Sequence, residues 1–283
     1  MSIELPEAMI LAEQMNSELL SKRIRAYRLY RLKDHERLQR IGFMNKDVKA
    51  FDQLLNARIV SVTSRGNAIL IRLSNGANLI LSPEYGGEIF YHSTQKTVPE
   101  KYHLRVDLND DTALTVRLTS MGGIHVVKDG ELNDSYVYKR DFNLHVISPM
   151  DDKFTSESFL NILSESNRAL KSVLVGKDAA VVGLSNSAFQ DIVFRAKLHP
   201  KRKASELSVD ERQALYDAIK KMLRERLQLR GKDQFTDLYG NRGGYTPAMG
   251  PHLKGRYCPR CGTPIERLSV GGGEVFLCPE CQT

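Results

Sequence analysis

A chain of 283 residues is long enough for about two domains of roughly 150 residues each, and its 41% hydrophobic content excludes a disordered chain. Lys and Arg number 41 against 34 Asp and Glu, a net charge of +7 with a pI near 9.2, which points to a polyanionic partner, nucleic acid or an anionic membrane surface, rather than to an acidic protein. No apolar run approaches the roughly 18 residues of a membrane span, and the opening MSIELPEAMI is acidic where a signal peptide would be basic, so the expected location is the cytoplasm.

After Leu5-Pro6-Glu7 the residues Ala8, Leu11, Ala12, Met15 and Leu19 recur every three or four positions, which predicts a helix with one apolar face opened by proline and acids. From Arg58 the period changes. Short β-branched runs at Ile59–Val62, Ala68–Leu73 and Asn78–Leu81 are separated by Ser64-Arg65-Gly66 and Ser74-Asn75-Gly76, and similar runs follow at 104–108 and 113–118. They predict hairpin-linked antiparallel strands, so residues 1–135 read as a helix packed on an antiparallel β-sandwich, within an α+β protein. Residues 136–152 lose periodicity and read as a linker. Helical spacing returns over 153–230, where Ser208-Val-Asp-Glu211 is a capping box opening a long helix to about Leu229. This helical stretch carries Arg195, Lys197, Lys201, Arg202, Lys220 and Arg224, either a solvated face or a surface for a polyanion. The last 231–283 residues are Gly-rich and aperiodic up to a cysteine module.

All four cysteines lie in that module: Cys258 and Cys261, then Cys278 and Cys281, two C-x-x-C pairs that suit a structural zinc ribbon in a reducing compartment. Four thiolates close the tetrahedron, so the metal is not expected to be catalytic. Arg256 and Arg260 beside it either offset the negative charge of the centre or reach phosphates. Upstream, Val181-Val-Gly-Leu-Ser-Asn186 joins a glycine-bearing turn to a helix start, where backbone N–H groups and Asn186 can hold a phosphate oxygen, or Asn186 can serve as the N-cap alone.

The order Glu4-Leu-Pro-Glu7, a β-rich domain with an Arg-Gly turn, the VVGLSN…FRAKLHP segment and CPRCGTPIERLSVGGGEVFLCPECQ resembles the formamidopyrimidine-DNA glycosylase and endonuclease VIII family. The resemblance implies a β-sandwich domain, a helix-two-turns-helix domain, a zinc finger holding structural Zn2+, and a monomer that binds damaged or distorted duplex DNA during base-excision repair near the nucleoid. Active members begin Met-Pro-Glu-Leu-Pro-Glu, and the proline amine attacks the sugar to form a Schiff base. Here Ile3 falls where the proline belongs, with Ser2 as one extra residue ahead of it, while Glu4 and Glu7 match the family's acids.

Two cations of the family pattern are replaced. The Arg-Gly-Lys turn reads Arg65-Gly66-Asn67, and the Gly-Gly-Arg tip of the zinc hairpin reads Gly271-Gly272-Gly273. The loops that fill the gap left by an extruded base align with Tyr85 and Met121, either stacking wedges or plain loop packing. The combined changes favour a DNA-binding protein whose conventional glycosylase and lyase activity is weak or lost. A second reading is an active glycosylase or abasic-site lyase that uses the Ser2 α-amine after Met1 removal, although an inserted residue displaces that amine by up to about 3.5 Å. A third is an RNA-binding zinc-ribbon protein.

Overall fold

The computed structural model describes residues 3–30, 35–84, 86–119, 121–176 and 178–283, which fall into two compact units. The first comprises Met1–Asn143 together with Arg230–Gly244. It opens with α1 (Leu5–Leu19), whose buried Leu5, Ala8, Leu11, Ala12, Met15 and Leu19 are the apolar face expected from their spacing. Pro6 sits in the first turn, where no intrahelical N–H partner is needed.

Among the described residues eight strands follow: β1 (Ile24–Leu29), β2 (Ile59–Arg65), β3 (Ala68–Leu73), β4 (Ala77–Ser82), β5 (Glu88–His92), β6 (Leu104–Leu108), β7 (Ala113–Arg117) and β8 (Gly123–Lys128). They form two antiparallel four-stranded sheets, ordered β1-β6-β7-β5 and β2-β3-β4-β8, and α1 packs on β2 and β3. The β2–β3 turn needs Gly66, whose φ of +58° suits glycine and whose missing Cβ would lie 2.6 Å from Asp141 Oδ1.

The strands β1, β5 and β8 carry weaker signals than their neighbours. β1 is an edge strand with polar residues interleaved, and β8 begins at Gly123, which reads as turn sequence. Two six-residue helices, α2 (His35–Arg40) and α3 (Tyr136–Asp141), are too short to display a helical period. The stretch expected to be a linker thus begins with α3, capped by Ser135 Oγ accepting from the Tyr138 amide and stiffened by stacked Tyr138 and Phe142 rings. The other difference from the expected division is that Arg230–Gly244 belongs with the first unit, and its attachment to α1 is specific. Gln14 donates to Asp237 Oδ2 at 2.9 Å and accepts from the Leu238 amide at 3.0 Å, and Tyr239 donates to Glu18 at 2.9 Å.

The second unit, Leu144–Leu229 with Tyr245–Thr283, holds α4 (Ser156–Ser164), α5 (Leu170–Leu174), α6 (Asn186–Arg195) and α7 (Val209–Gln228), then the hairpin β9 (Glu266–Val270) and β10 (Gly273–Leu277). The capping box predicted for α7 is present: Ser208 Oγ accepts from the Glu211 amide at 3.2 Å, and Glu211 accepts from the Ser208 amide at 2.7 Å. Helices α6 and α7 pack together around a buried polar knot in which Asp191 accepts from Arg195, the Tyr245 hydroxyl and the Ala248 amide. Among the described residues no helix is long and apolar enough to cross a membrane.

Candidate functional site

The metal centre is built by two backbone knuckles. Cys258 N–H donates to Thr263 O at 2.7 Å and Gly262 N–H returns to Cys258 O at 2.9 Å, while Cys278 N–H is held by the Gln282 side chain at 2.9 Å. Gln282 in turn donates to Leu198 O, tying the second knuckle to the residues that follow α6. All four Sγ atoms lie within 4.8 Å of one another, close to the separation of about 3.8 Å set by a tetrahedron of 2.3 Å Zn–S bonds. The four thiols therefore fit a structural zinc ion, and Cys258 and Cys278 share a core with Phe194, Met249 and Phe276. The zinc cofactor expected from the spacing of these cysteines agrees with this geometry.

The β9–β10 hairpin turns through Gly271 and Gly272 at φ +51° and +75°, two left-handed residues in a row, as a two-residue turn of the right hand requires. Its fit to the helices is tight. Phe276 N–H donates to buried Gln190 Oε1 at 2.8 Å, and Asn186 Nδ2 donates to Glu274 O at 2.8 Å. The N-cap of α6 is Ser185, not Asn186: Ser185 Oγ accepts from the Ser187 amide at 3.2 Å, which leaves the Asn186 side chain for the hairpin. Asn186 Oδ1 is buried without a hydrogen-bond partner.

A lysine outside the residues expected at the site joins this group. Lys171, on α5, is 6% exposed, and its Nζ donates to Val270 O at 2.6 Å. A Cβ on Gly273 would stand 3.0 Å from that Nζ and 3.6 Å from Asn186 Oδ1. The hairpin tip lacks an arginine at Gly273, yet an ammonium group occupies the adjoining space. Burial pushes the Lys171 pKa below its ordinary value. Its signal in the sequence was slight, a lone lysine inside the apolar run Leu170, Val173, Leu174.

In the first unit the two N-terminal carboxylates are fully buried. Glu7 accepts from the Glu4 amide at 3.1 Å with one oxygen and from the Lys232 amide at 3.0 Å with the other. Glu4 Oε2 faces Lys232 Nζ at 3.7 Å. Ile3, which the sequence resemblance sets at the proline position, is 4% exposed, and its nitrogen is an amide because residues precede it. Glu4 and Glu7 form the capping box of α1 and also fasten the chain at Lys232 to its start.

The remaining candidates are spread over both units. Arg65 donates to the carbonyls of Asp141 and Asn143 at 2.8 and 2.9 Å, so its guanidinium already braces the end of α3. Asn67 Oδ1 is buried without a hydrogen-bond partner. Met121 is exposed, whereas Ser2 and Tyr85 lie outside the described residues. In the second unit Lys197 and Arg256 are exposed, and Arg260 stacks 4.4 Å from the Phe194 ring centroid while donating to Phe194 O.

Three family models match the chain in succession: the formamidopyrimidine-DNA glycosylase N-terminal domain over residues 3–121, the formamidopyrimidine-DNA glycosylase H2TH domain over 146–236, and the zinc finger found in FPG and IleRS over 257–283. The formamidopyrimidine-DNA glycosylase of Ligilactobacillus salivarius is 27% identical over 284 residues, covering 99% of this chain and 98% of that protein. That of Cytobacillus firmus is 28% identical over 245 residues, covering 83% and 86%. Among solved structures, Lactococcus lactis Fpg in complex with DNA containing an abasic site superimposes with a TM-score of 0.82 at 20% identity, covering 99% of both chains. MutM (Fpg) from Thermus thermophilus gives 0.80 at 24% identity, covering 99% of this chain and 98% of that one. The helix-and-sheet unit, the helical unit and the four-thiolate hairpin thus occur in the family's own order, and the chain belongs to the formamidopyrimidine-DNA glycosylase family.

Proposed function

We propose that this protein is a damaged-DNA-binding member of the family, acting in base-excision repair on duplex DNA, in which conventional base excision by an N-terminal amine is weak or lost. The observation that carries the loss is Ile3. Its nitrogen is an amide, and its buried side chain anchors the start of α1 beside Glu4, so no backbone amine stands at that position. Asn67, where the family pattern has a lysine, removes a cation that would reach the damaged nucleotide's backbone.

The DNA-binding half of the reading is supported by the second unit. Asn186, with a buried unpartnered Oδ1, the ammonium of Lys171 and the turn at Gly271–Gly273 converge within one tightly packed group. An ammonium beside the hairpin turn suits phosphate oxygens, which position a protein on DNA without reading its sequence, while Asn186 Nδ2, donating to Glu274 O, holds that turn in place. Exposed Lys197 and Arg256 would extend the favourable field. Incubating the protein with duplex DNA that contains 8-oxoguanine tests the reading: no base release above background is expected, and robust release by the clean wild-type protein overturns it.

A further inference from the structure

We propose that Lys232 is a catalytic amine, which condenses with the aldehyde of an abasic site in DNA beside the Glu4 carboxylate. Lys232 is 5% exposed and Glu4 is fully buried, with 3.7 Å between Nζ and Oε2. The placement is fixed from both sides. Glu7 holds the Glu4 and Lys232 amides on its two oxygens, which locks together backbone segments 225 positions apart. Gly231 has φ +91°, and a Cβ at Gly243 would come within 2.3 Å of Gly231 O, so the loop that presents Lys232 closes with no room to spare.

A buried lysine–carboxylate pair contributes little net stability, because desolvating two ions offsets their attraction, and apolar replacements are often neutral or stabilising. Lysine at such a place has another use: a desolvated side-chain amine next to a proton acceptor is the usual Schiff-base nucleophile for carbonyl compounds. The carbonyl compound in question is supplied by the DNA. This inference rests on the proposed reading of damaged DNA, and Lactococcus lactis Fpg is solved on DNA with an abasic site, whose ring-opened sugar carries an aldehyde at C1′.

The step balances without any co-reactant. Lys232 Nζ passes one proton to Glu4, and its lone pair then forms a bond to C1′. The carbinolamine oxygen takes the proton back from Glu4 and leaves as water, giving an iminium and restoring the Glu4 carboxylate. Loss of a C2′ proton to a carboxylate then expels the 3′ phosphate by β-elimination. Aldehyde condensation needs no scission of a glycosidic bond, so this chemistry is compatible with failure to release an intact damaged base.

The test is borohydride trapping of wild-type protein on duplex DNA with a single abasic site, followed by digestion and mass mapping of the adduct, with binding to the same duplex measured in parallel. The expected result is an adduct on Lys232, with Lys232→Arg reducing trapped protein at least tenfold while keeping duplex affinity within about twofold. An adduct on the Ser2 amine or on another lysine overturns the assignment. Binding without any adduct overturns it too, and leaves the DNA-reading proposal standing. Absence of binding overturns both.

Discussion

The zinc hairpin, with Cys258 and Cys278 buried and Cys261 exposed, and the fully buried carboxylate cluster at α1 are assembled in opposite ways. The hairpin takes its ligands from two tight knuckles within Cys258–Cys281, so metal and local backbone specify each other. The carboxylate cluster joins residues 225 positions apart, and it exists only once Arg230–Gly244 has packed along α1. A site of the first kind depends on its metal, and a site of the second kind depends on the packing of its whole unit.

Removing the metal should separate the two most sharply. Zinc contributes on the order of 10 kcal/mol to small structural sites. Chelation or Cys278→Ser is therefore expected to abolish hydrogen-exchange protection over 257–283 and to weaken DNA binding, while the strands of the first unit keep theirs. Loss of protection in β2, β3 and β4 would show that the units are not independent in this sense. Next in size, Glu7→Ala removes the acceptor of two buried amides and should destabilise the first unit by about 2–4 kcal/mol, read as a lower denaturant midpoint. Glu7→Gln, which keeps one acceptor, should recover part of this.

Lys171→Met keeps the aliphatic stem but removes the ammonium, and is expected to weaken duplex binding about tenfold, the scale of one charge-assisted contact. An unchanged affinity would confine Lys171 to bracing the Val270 carbonyl. The smallest effect concerns pH. Burial holds the His125 imidazole below its ordinary pKa even though Gly42 O accepts from it, so the unfolded chain takes up a proton near pH 6.5 before the folded chain does. The stabilising contribution is complete above that pH and is lost as pH falls through 6.5 toward the folded value. His125→Gln should therefore flatten the decline in melting temperature between pH 7.5 and 5.5. An identical slope in the variant would rule His125 out as its source.

The same contrast explains what could be read from the sequence. The apolar face of α1, the hairpin strands around Gly66, the Ser208–Glu211 box and the cysteine knuckles are all local patterns with a period or a fixed spacing, and each has its counterpart in the structure. Strand β1, with its exposed polar residues, and α3, under two turns long, have no such period to display. Lys232 had no signal at all, because its meaning lies in Glu4 at the other end of the chain. Asn186 was legible as a polar residue at a helix start, but the partner that takes its side chain, Glu274 O, belongs to a hairpin 88 positions away.

The proposed electrostatic reading of damaged DNA by this glycosylase scaffold can be measured by titrating salt against binding to two duplexes, one with an abasic site and one intact. Tighter binding to the abasic duplex is predicted, with affinity falling at least about tenfold between 50 and 200 mM salt as phosphate counterions are released. Equal affinity for both duplexes, or an affinity nearly independent of salt, would contradict it.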